Sequence, residues 1–413
     1  MKAYAKKVIT NPLFSGSAIM VFGSNLGNFF AYIYHFVIGR LLSPAEYGEV
    51  GAILSFLGLL SVLISFMGLV IVKFVSSAKE NELDGVFSWF YKASVKFAIL
   101  VAVLIMLMSP LISQFLHIDI LIIALMGPIF LISTLTFILK SFLQGLLRFK
   151  ILVISTNIQI IMRLLSGAML ILLGFSVFGA IMGYLLAGLI DFFFVRWILK
   201  EFRTKKAKNL FKKNREVFLY AIPIFISSFF TYALISIDVI VVKHYFSADD
   251  AGVYIVLSTL SRIVFFAVAP ISGVMFPIIA KRKASGLAYK SVFRLSVLLS
   301  SAVIVGLLII YKLLPTLVVG ILYGPGRYSE AYPLLPWAGL FVALFALASL
   351  VTNYCLSLNM TKVVVLLPFA LLTQIIGFVL FHETLMSIIL VSIVATGALL
   401  LTLLGRIAYE REI

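Results

Sequence analysis

The sequence predicts an all-α integral membrane protein of about twelve transmembrane helices, and three observations carry that expectation. The chain is 63% hydrophobic and only 12% charged, with a mean hydropathy of +1.17. Soluble domains carry about 25% charged residues, so this chain cannot cover its exterior with polar groups and its solvent must be lipid. Apolar runs of roughly 20 residues, enough to cross ~30 Å of hydrocarbon as a helix, recur along its whole length. Basic residues gather in every second connection between those runs.

The first run, 15–39, follows Lys2, Lys6 and Lys7. It is too long for the apolar core of a secretory signal and has no small-residue cleavage site, so it reads as a retained helix. The second run, 50–75, is preceded by Ser43-Pro-Ala-Glu46. Ser-x-x-Glu is a capping box, which satisfies backbone N–H groups where a helix enters a dry medium. Runs 93–115, 118–139, 151–174 and 176–199 follow. The basic stretch from Lys200 to Glu216 then divides the chain near its middle. It reads as a linker, 203–216, lying on an anionic inner leaflet between an N-lobe (1–202) and a C-lobe (217–413). The second half repeats the pattern at 217–242, 254–280, 292–322, 332–358, 361–381 and 385–405, with Lys312 and Pro315 interrupting the ninth run.

Orientation follows from the basic residues. Lys73, Lys79, Lys92, Lys96, Lys140, Arg148, Lys150, the 281–294 cluster, Lys362, Arg406 and Arg411 share a side with the N-terminus. The opposite connections hold little beyond Arg40, Lys243, Lys312 and Arg327, with acids such as Glu46, Asp249 and Glu383. Both termini are therefore expected in the cytoplasm, with the chain in the cell inner or plasma membrane.

A second capping box, Ser247-Ala-Asp-Asp250, precedes the eighth run as the first precedes the second. Leu143-Gln-Gly145 before the fifth run is echoed by Leu356-Ser357 before the eleventh. These matches point to a duplicated six-helix unit. Six is even, so the halves are expected to be parallel repeats about an axis along the membrane normal.

Several chemistries are excluded. One cysteine, Cys355, allows no internal disulfide, and four scattered histidines offer no metal-ligand spacing. No phosphate-binding glycine loop or nucleophile elbow is present. No cofactor and no enzymatic step is expected. The formal net charge of +17 follows the topology and does not mark a nucleic-acid surface.

An ionisable group within a span costs about 2.5–3.5 kcal/mol on insertion scales, so it normally faces a cavity or a partner. The clearest candidates are Arg163, Asp191, Asp238 and Arg262. Asp191 with Arg163, and Asp238 with Arg262, could each be an ion pair joining adjacent helices. In the functional alternative the arginines face an anionic substrate in a cavity, and the acids tune them or couple to an ion. Polar residues share their helical faces: Thr156, Gln159, Arg163 and Ser166; Tyr254, Ser258, Ser261 and Arg262; Asn25, Asn28, Tyr32 and His35; Ser227, Thr231 and Asp238. Such stripes line cavities or join helices.

Three runs carry a family resemblance: Gly39-Arg-Leu-Leu-Ser-Pro-Ala-Glu-Tyr-Gly48, Asp238-Val-Ile-Val-Val-Lys-His-Tyr-Phe-Ser-Ala-Asp-Asp-Ala-Gly-Val-Tyr254 and Tyr323-Gly-Pro-Gly-Arg-Tyr-Ser-Glu-Ala-Tyr-Pro-Leu-Leu-Pro336. With Gln144-Gly145 and Phe149-Lys150, in this order, they resemble the polysaccharide-transporter branch of the multidrug/oligosaccharidyl-lipid/polysaccharide flippase superfamily. The resemblance implies two six-helix lobes around a central cavity that opens alternately to each side. It implies a polyprenyl-linked oligosaccharide as partner within membrane lipid, with a proton or sodium ion as candidate coupling ion. It implies basic cavity groups that hold a pyrophosphate, a role carried here to Arg262 and Arg163, then to Arg40, Lys73 and Lys96. Asp238, Asp191, Asn25, Asn28, His35 and Gln159 are the polar or ion-coupling candidates.

Two other readings compete. A multidrug or organic-cation antiporter of the same superfamily should have an acid-dominated cavity and no central arginine. A membrane glycosyltransferase or polymerase should have a large extramembrane catalytic loop or a carboxylate cluster, and the connections here are short.

Overall fold

The computed structural model describes residues 12–202, 225–226, 228–358 and 360–409. Among them the regular structure is helical, with no strand. The expected linker at 203–216, and Ser227 of the seventh-helix stripe, lie outside the described residues. The chain forms two compact units, Met1–Leu42 with Leu60–Phe225 and Ser43–Leu59 with Ile226–Ile413.

Unit 1 contains α1 (Pro12–Leu41), the second half of α2 (Pro44–Ser77), α3 (Leu83–Leu116), α4 (Ile120–Gly145), α5 (Phe149–Leu170) and α6 (Ser176–Ile198). α3 and α4 turn tightly around His117, which is left-handed at φ 53°. Ser113 Oγ donates to the Ile118 carbonyl at 2.6 Å, and the Asp119 carboxylate caps α4 through Leu121 N–H at 2.7 Å. These bonds satisfy backbone groups that lipid cannot.

The 50-residue apolar stretch Phe149–Ile198 is folded back on itself. Gly174 at φ 91° and Ser176 at φ 46° reverse the chain, a conformation that glycine adopts without a Cβ penalty. α5 and α6 then run antiparallel. Ser166 Oγ reaches the Gly183 carbonyl at 3.3 Å, and a Cβ on Gly183 would sit 2.6 Å from Gly167 Cα. Small residues at this seam let the two backbones approach closely. At the end of the unit where α4 stops, Phe87, Phe142 and Phe202 pack edge to face beside Leu139, Val195 and Leu199.

Unit 2 contains the first half of α2, α7 (Ile237–Tyr245), α8 (Ala248–Ala284), α9 (Lys290–Leu313), α10 (Pro315–Tyr323), α11 (Ala331–Ser357), α12 (Leu366–Leu380) and α13 (Leu385–Tyr409). The first sequence-predicted capping box is formed in full, and at the second the N-cap bond is formed while the Asp250 carboxylate accepts from the Ser247 hydroxyl instead of its backbone N–H. Glu46 N–H donates to Ser43 Oγ at 3.3 Å while Ser43 N–H donates to Glu46 Oε2 at 2.7 Å. Asp250 N–H donates to Ser247 Oγ at 3.1 Å. The helices they start meet: a Cβ on Gly48 would lie 2.7 Å from the Gly252 nitrogen, and one on Gly252 would overlap the Pro44 carbonyl. Equivalent glycines of the two sequence repeats thus form a single contact. The ninth run breaks where expected, with α9 ending at Leu313 and Pro315 opening α10.

Among the described residues nine helices are long and apolar enough to cross a membrane, or ten if the pair Ser228–Leu234 and Ile237–Tyr245, bent by 44°, is one span. Large apolar side chains crowd the surface, with Leu107, Leu172 and Leu401 each more than 70% exposed. That exterior suits hydrocarbon and not water.

Candidate functional site

Unit 1 holds a cavity of about 360 Å³ walled by α4 and α5. Its polar lining includes Thr136, Lys140, Gln144, Thr156, Asn157 and Gln159. The hydroxyls of Thr136 and Thr156 donate to carbonyls one turn back in their own helices, at 2.8 and 2.9 Å. Their lone pairs are left to the cavity. Asn157 Nδ2 donates to the Gly23 and Val153 carbonyls, and its Oδ1 is buried without a donor.

Lys140 supplies the charge. Its Nζ lies 2.5 Å from Asp191 Oδ2 and donates to Gln159 Oε1 at 3.0 Å. Asp191, on α6, is fully buried and also accepts from Ser155 Oγ on α5. The ammonium has three N–H groups and its side chain is 13% exposed, so one N–H is left for the cavity. The lining presents one cation and neutral polar groups among the apolar Phe137, Leu152 and Val153, and the carboxylate of Asp191 lies behind the cation, outside the lining.

This corrects the expected pairing. Asp191 is the partner of Lys140 and not of Arg163. The Arg163 guanidinium lies against the edge-to-face pair of Tyr34 and Tyr184, 4.5 Å from each ring centroid, with Nε buried and unbonded. Cation–π contacts of this kind stabilise by about 0.5–2 kcal/mol. The fifth-helix stripe therefore divides: Thr156 and Gln159 face the cavity, whereas Arg163 and Ser166 join helices.

Unit 2 departs from expectation in the same way. Asp238 and Arg262 do not pair directly. Asp238 Oδ2 accepts from the Tyr254 hydroxyl at 2.8 Å, and both residues are buried. Arg262 Nη2 donates to the Ile235 carbonyl at 2.7 Å and to Ser236 Oγ at 3.3 Å. Ile235 and Ser236 form the break before α7, where a bent helix releases carbonyls from their usual donors. Gln374, also buried, donates to the neighbouring Leu234 carbonyl at 3.2 Å and to Ser392 Oγ at 3.0 Å. Arg262 and Gln374 thus supply the donors that lipid would not. Ser258 and Ser261 of the same stripe are buried within the unit.

Of the remaining candidates, Arg40 is exposed in the last turn of α1 and Lys96 is exposed on α3. The Lys73 side chain lies outside the described residues. Asn25 and Asn28 are exposed on α1, and His35 meets the Tyr34 ring edge to face at 5.6 Å. Among the described residues, Arg40, Lys96, Asn25, Asn28 and His35 do not line the unit 1 cavity. Sequence reasoning missed Lys140, which it counted among the basic residues of a connection, and also missed Gln374 and the buried Lys243, 3.8 Å from Glu49.

Comparison with known proteins agrees with this architecture. An uncharacterized membrane protein of Methanocaldococcus jannaschii is 24% identical over 298 residues, covering 67% of this chain and 70% of its own. Among solved structures, the lipid II flippase MurJ in an inward closed conformation superposes with a TM-score of 0.74 at 16% identity, covering 94% of this chain and 87% of that one. An inward-facing multidrug resistance MATE family transporter of the MOP superfamily superposes at 0.70 with 14% identity, covering 92% and 96%. Both likenesses establish the fold. Residues 13–283 match the polysaccharide biosynthesis protein family, and since that is more than half of the sequence, the chain belongs to this family of membrane proteins.

Proposed function

We propose that this protein is a flippase that carries a polyprenyl-pyrophosphate-linked oligosaccharide from the cytoplasmic to the outer leaflet by alternating access, for cell-surface polysaccharide or glycoconjugate assembly. A diphosphate head does not cross hydrocarbon unaided, and a cavity that presents a cation and hydrogen-bonding groups within the helices lowers that barrier. The observation that carries the reading is the lining of the unit 1 cavity, where Lys140 and neutral amides are presented and Asp191 is hidden. An organic cation would meet the opposite charge arrangement. Membership of a polysaccharide biosynthesis family supports the substrate class, and no bond is made or broken in this reading.

The test is the sidedness of lipid-linked oligosaccharides in cells depleted of the protein, read with an impermeant sugar-modifying enzyme on spheroplasts. Accumulation of protected, cytoplasm-facing lipid-linked sugar, reversed by the wild-type chain, is the expected result. Normal sidedness with new sensitivity to cationic drugs would replace the flippase with a multidrug antiporter.

A further inference from the structure

Lys140 and Asp191 are an unusual pair for a purely structural role. A buried ion pair that only joins helices gains most when both charges are enclosed and fully bonded. Here the acid is fully enclosed, whereas the base keeps 13% of its side chain exposed and lines the cavity. Asp191 is held on one oxygen by Ser155 and on the other by Lys140, whereas Lys140 reaches the cavity with an N–H left over. Lys140 bridges α4 to Asp191 on α6 and to Gln159 on α5, and its long flexible stem allows the ammonium to move a few ångströms. Around it the Gln144 amide offers further donors, and the buried Asn157 Oδ1 awaits one. This set suits an anionic oxygen ester that also carries hydroxyls. The volume, about 360 Å³, lies at the lower end of small-molecule sites, roughly 300–1,000 Å³, and so admits a single headgroup and not a polymer.

We propose that this cavity binds the phosphate and first sugar of the lipid-linked substrate, and that Asp191 is a built-in competitor for Lys140. When the cavity is empty Asp191 holds the ammonium. A bound phosphate draws the ammonium to itself, and Asp191 reclaims it when the head leaves. A carrier must release what it binds, and an internal counter-ion weakens binding for that purpose. The proposal rests on the flippase reading and adds a site and a release device to it.

The experiment measures binding of farnesyl pyrophosphate, inorganic pyrophosphate and tetraphenylphosphonium to purified protein in nanodiscs, alongside the sidedness assay. The variants are Lys140→Gln, Asp191→Asn and the double variant. Lys140→Gln should abolish farnesyl pyrophosphate binding. Asp191→Asn should tighten it roughly tenfold, within the usual range of coupling between sites, yet slow translocation. The double variant restores a neutral, hydrogen-bonded pair, so a purely structural role predicts that it regains transport. Our proposal predicts a folded protein that does not. Regained transport, or Asp191→Asn binding no tighter than wild type, overturns the competitor role while leaving the flippase reading intact. Inorganic pyrophosphate binding as tightly as farnesyl pyrophosphate would assign the cavity to a soluble anion and overturn the lipid-headgroup assignment. Binding of the phosphonium alone would remove the flippase reading itself.

Discussion

At the level of single residues, the intramembrane charges divide by what they touch. Arg262 points two bonds at the break before α7, and Tyr254 holds the Asp238 carboxylate. Removing either donor leaves a buried acceptor unmet, which costs about 1–3 kcal/mol. Arg262→Met and Tyr254→Phe should therefore each lower the thermal unfolding midpoint in detergent. Arg262→Gln, which keeps an N–H donor, should recover part of the loss. Equal midpoints for Arg262→Met and wild type would show that the carbonyls at the break find other donors. Arg163 illustrates a different bond. Arg163→Lys keeps the charge but replaces the broad guanidinium that touches both Tyr34 and Tyr184 with a compact ammonium, which is why the two cations are not interchangeable there.

At the level of elements, the informative feature is α2, whose first half belongs to unit 2 and whose second half belongs to unit 1. Its first half is seated by glycine. Gly252 faces the Pro44 backbone, and backbone cannot give way as a flexible side chain can. Overpacking costs about 1–3 kcal/mol, and more where nothing can relax. Gly252→Val should markedly lower the yield of folded protein, whereas Gly273→Ala, in the same helix with open space around it, should be neutral or stabilise by about 0.5–1 kcal/mol. Thermal unfolding of the two variants checks the contrast, and similar behaviour would remove the special role of the glycine contact. The α5–α6 hairpin shows the same reasoning from another side. The apolar runs 151–174 and 176–199 follow one another with almost no polar gap, and the positive-φ residues Gly174 and Ser176 make the reversal between them.

At the level of the whole molecule, the prediction concerns topology. The basic residues favour both termini in the cytoplasm. The single cysteine makes the test direct, since Cys355→Ser provides a cysteine-free background. Cysteines placed at Lys2 and at Glu412 should react with an impermeant maleimide only after the cells are opened. Labelling of either site in intact cells would overturn the assigned orientation.

Much was already present in the one-dimensional pattern. The membrane class follows from composition, because too few polar groups exist to face water. The helical positions follow from the length of the apolar runs, and the serine N-caps at Ser43 and Ser247 follow from Ser-x-x-Glu and Ser-x-x-Asp, where all partners lie within one turn. Such features are local, so neighbours in sequence are enough to specify them. The pairing of charges was not local. Lys140 stands at the margin of an apolar run, which made it look like a topogenic residue, but α4 continues to Gly145 and carries it about one and a half turns inside. Its partner lies 51 residues away on α6, brought there by the α5–α6 reversal at Gly174. Arg163 and Arg262 were visible as costly groups, but whether each faces rings, carbonyls or an open cavity depends on which helix packs beside it and at what rotation. Hydropathy carries no information about rotation about the helix axis relative to a neighbour. That choice is made when side chains interlock in three dimensions, and it is there that Lys140, and not an arginine, came to face the cavity.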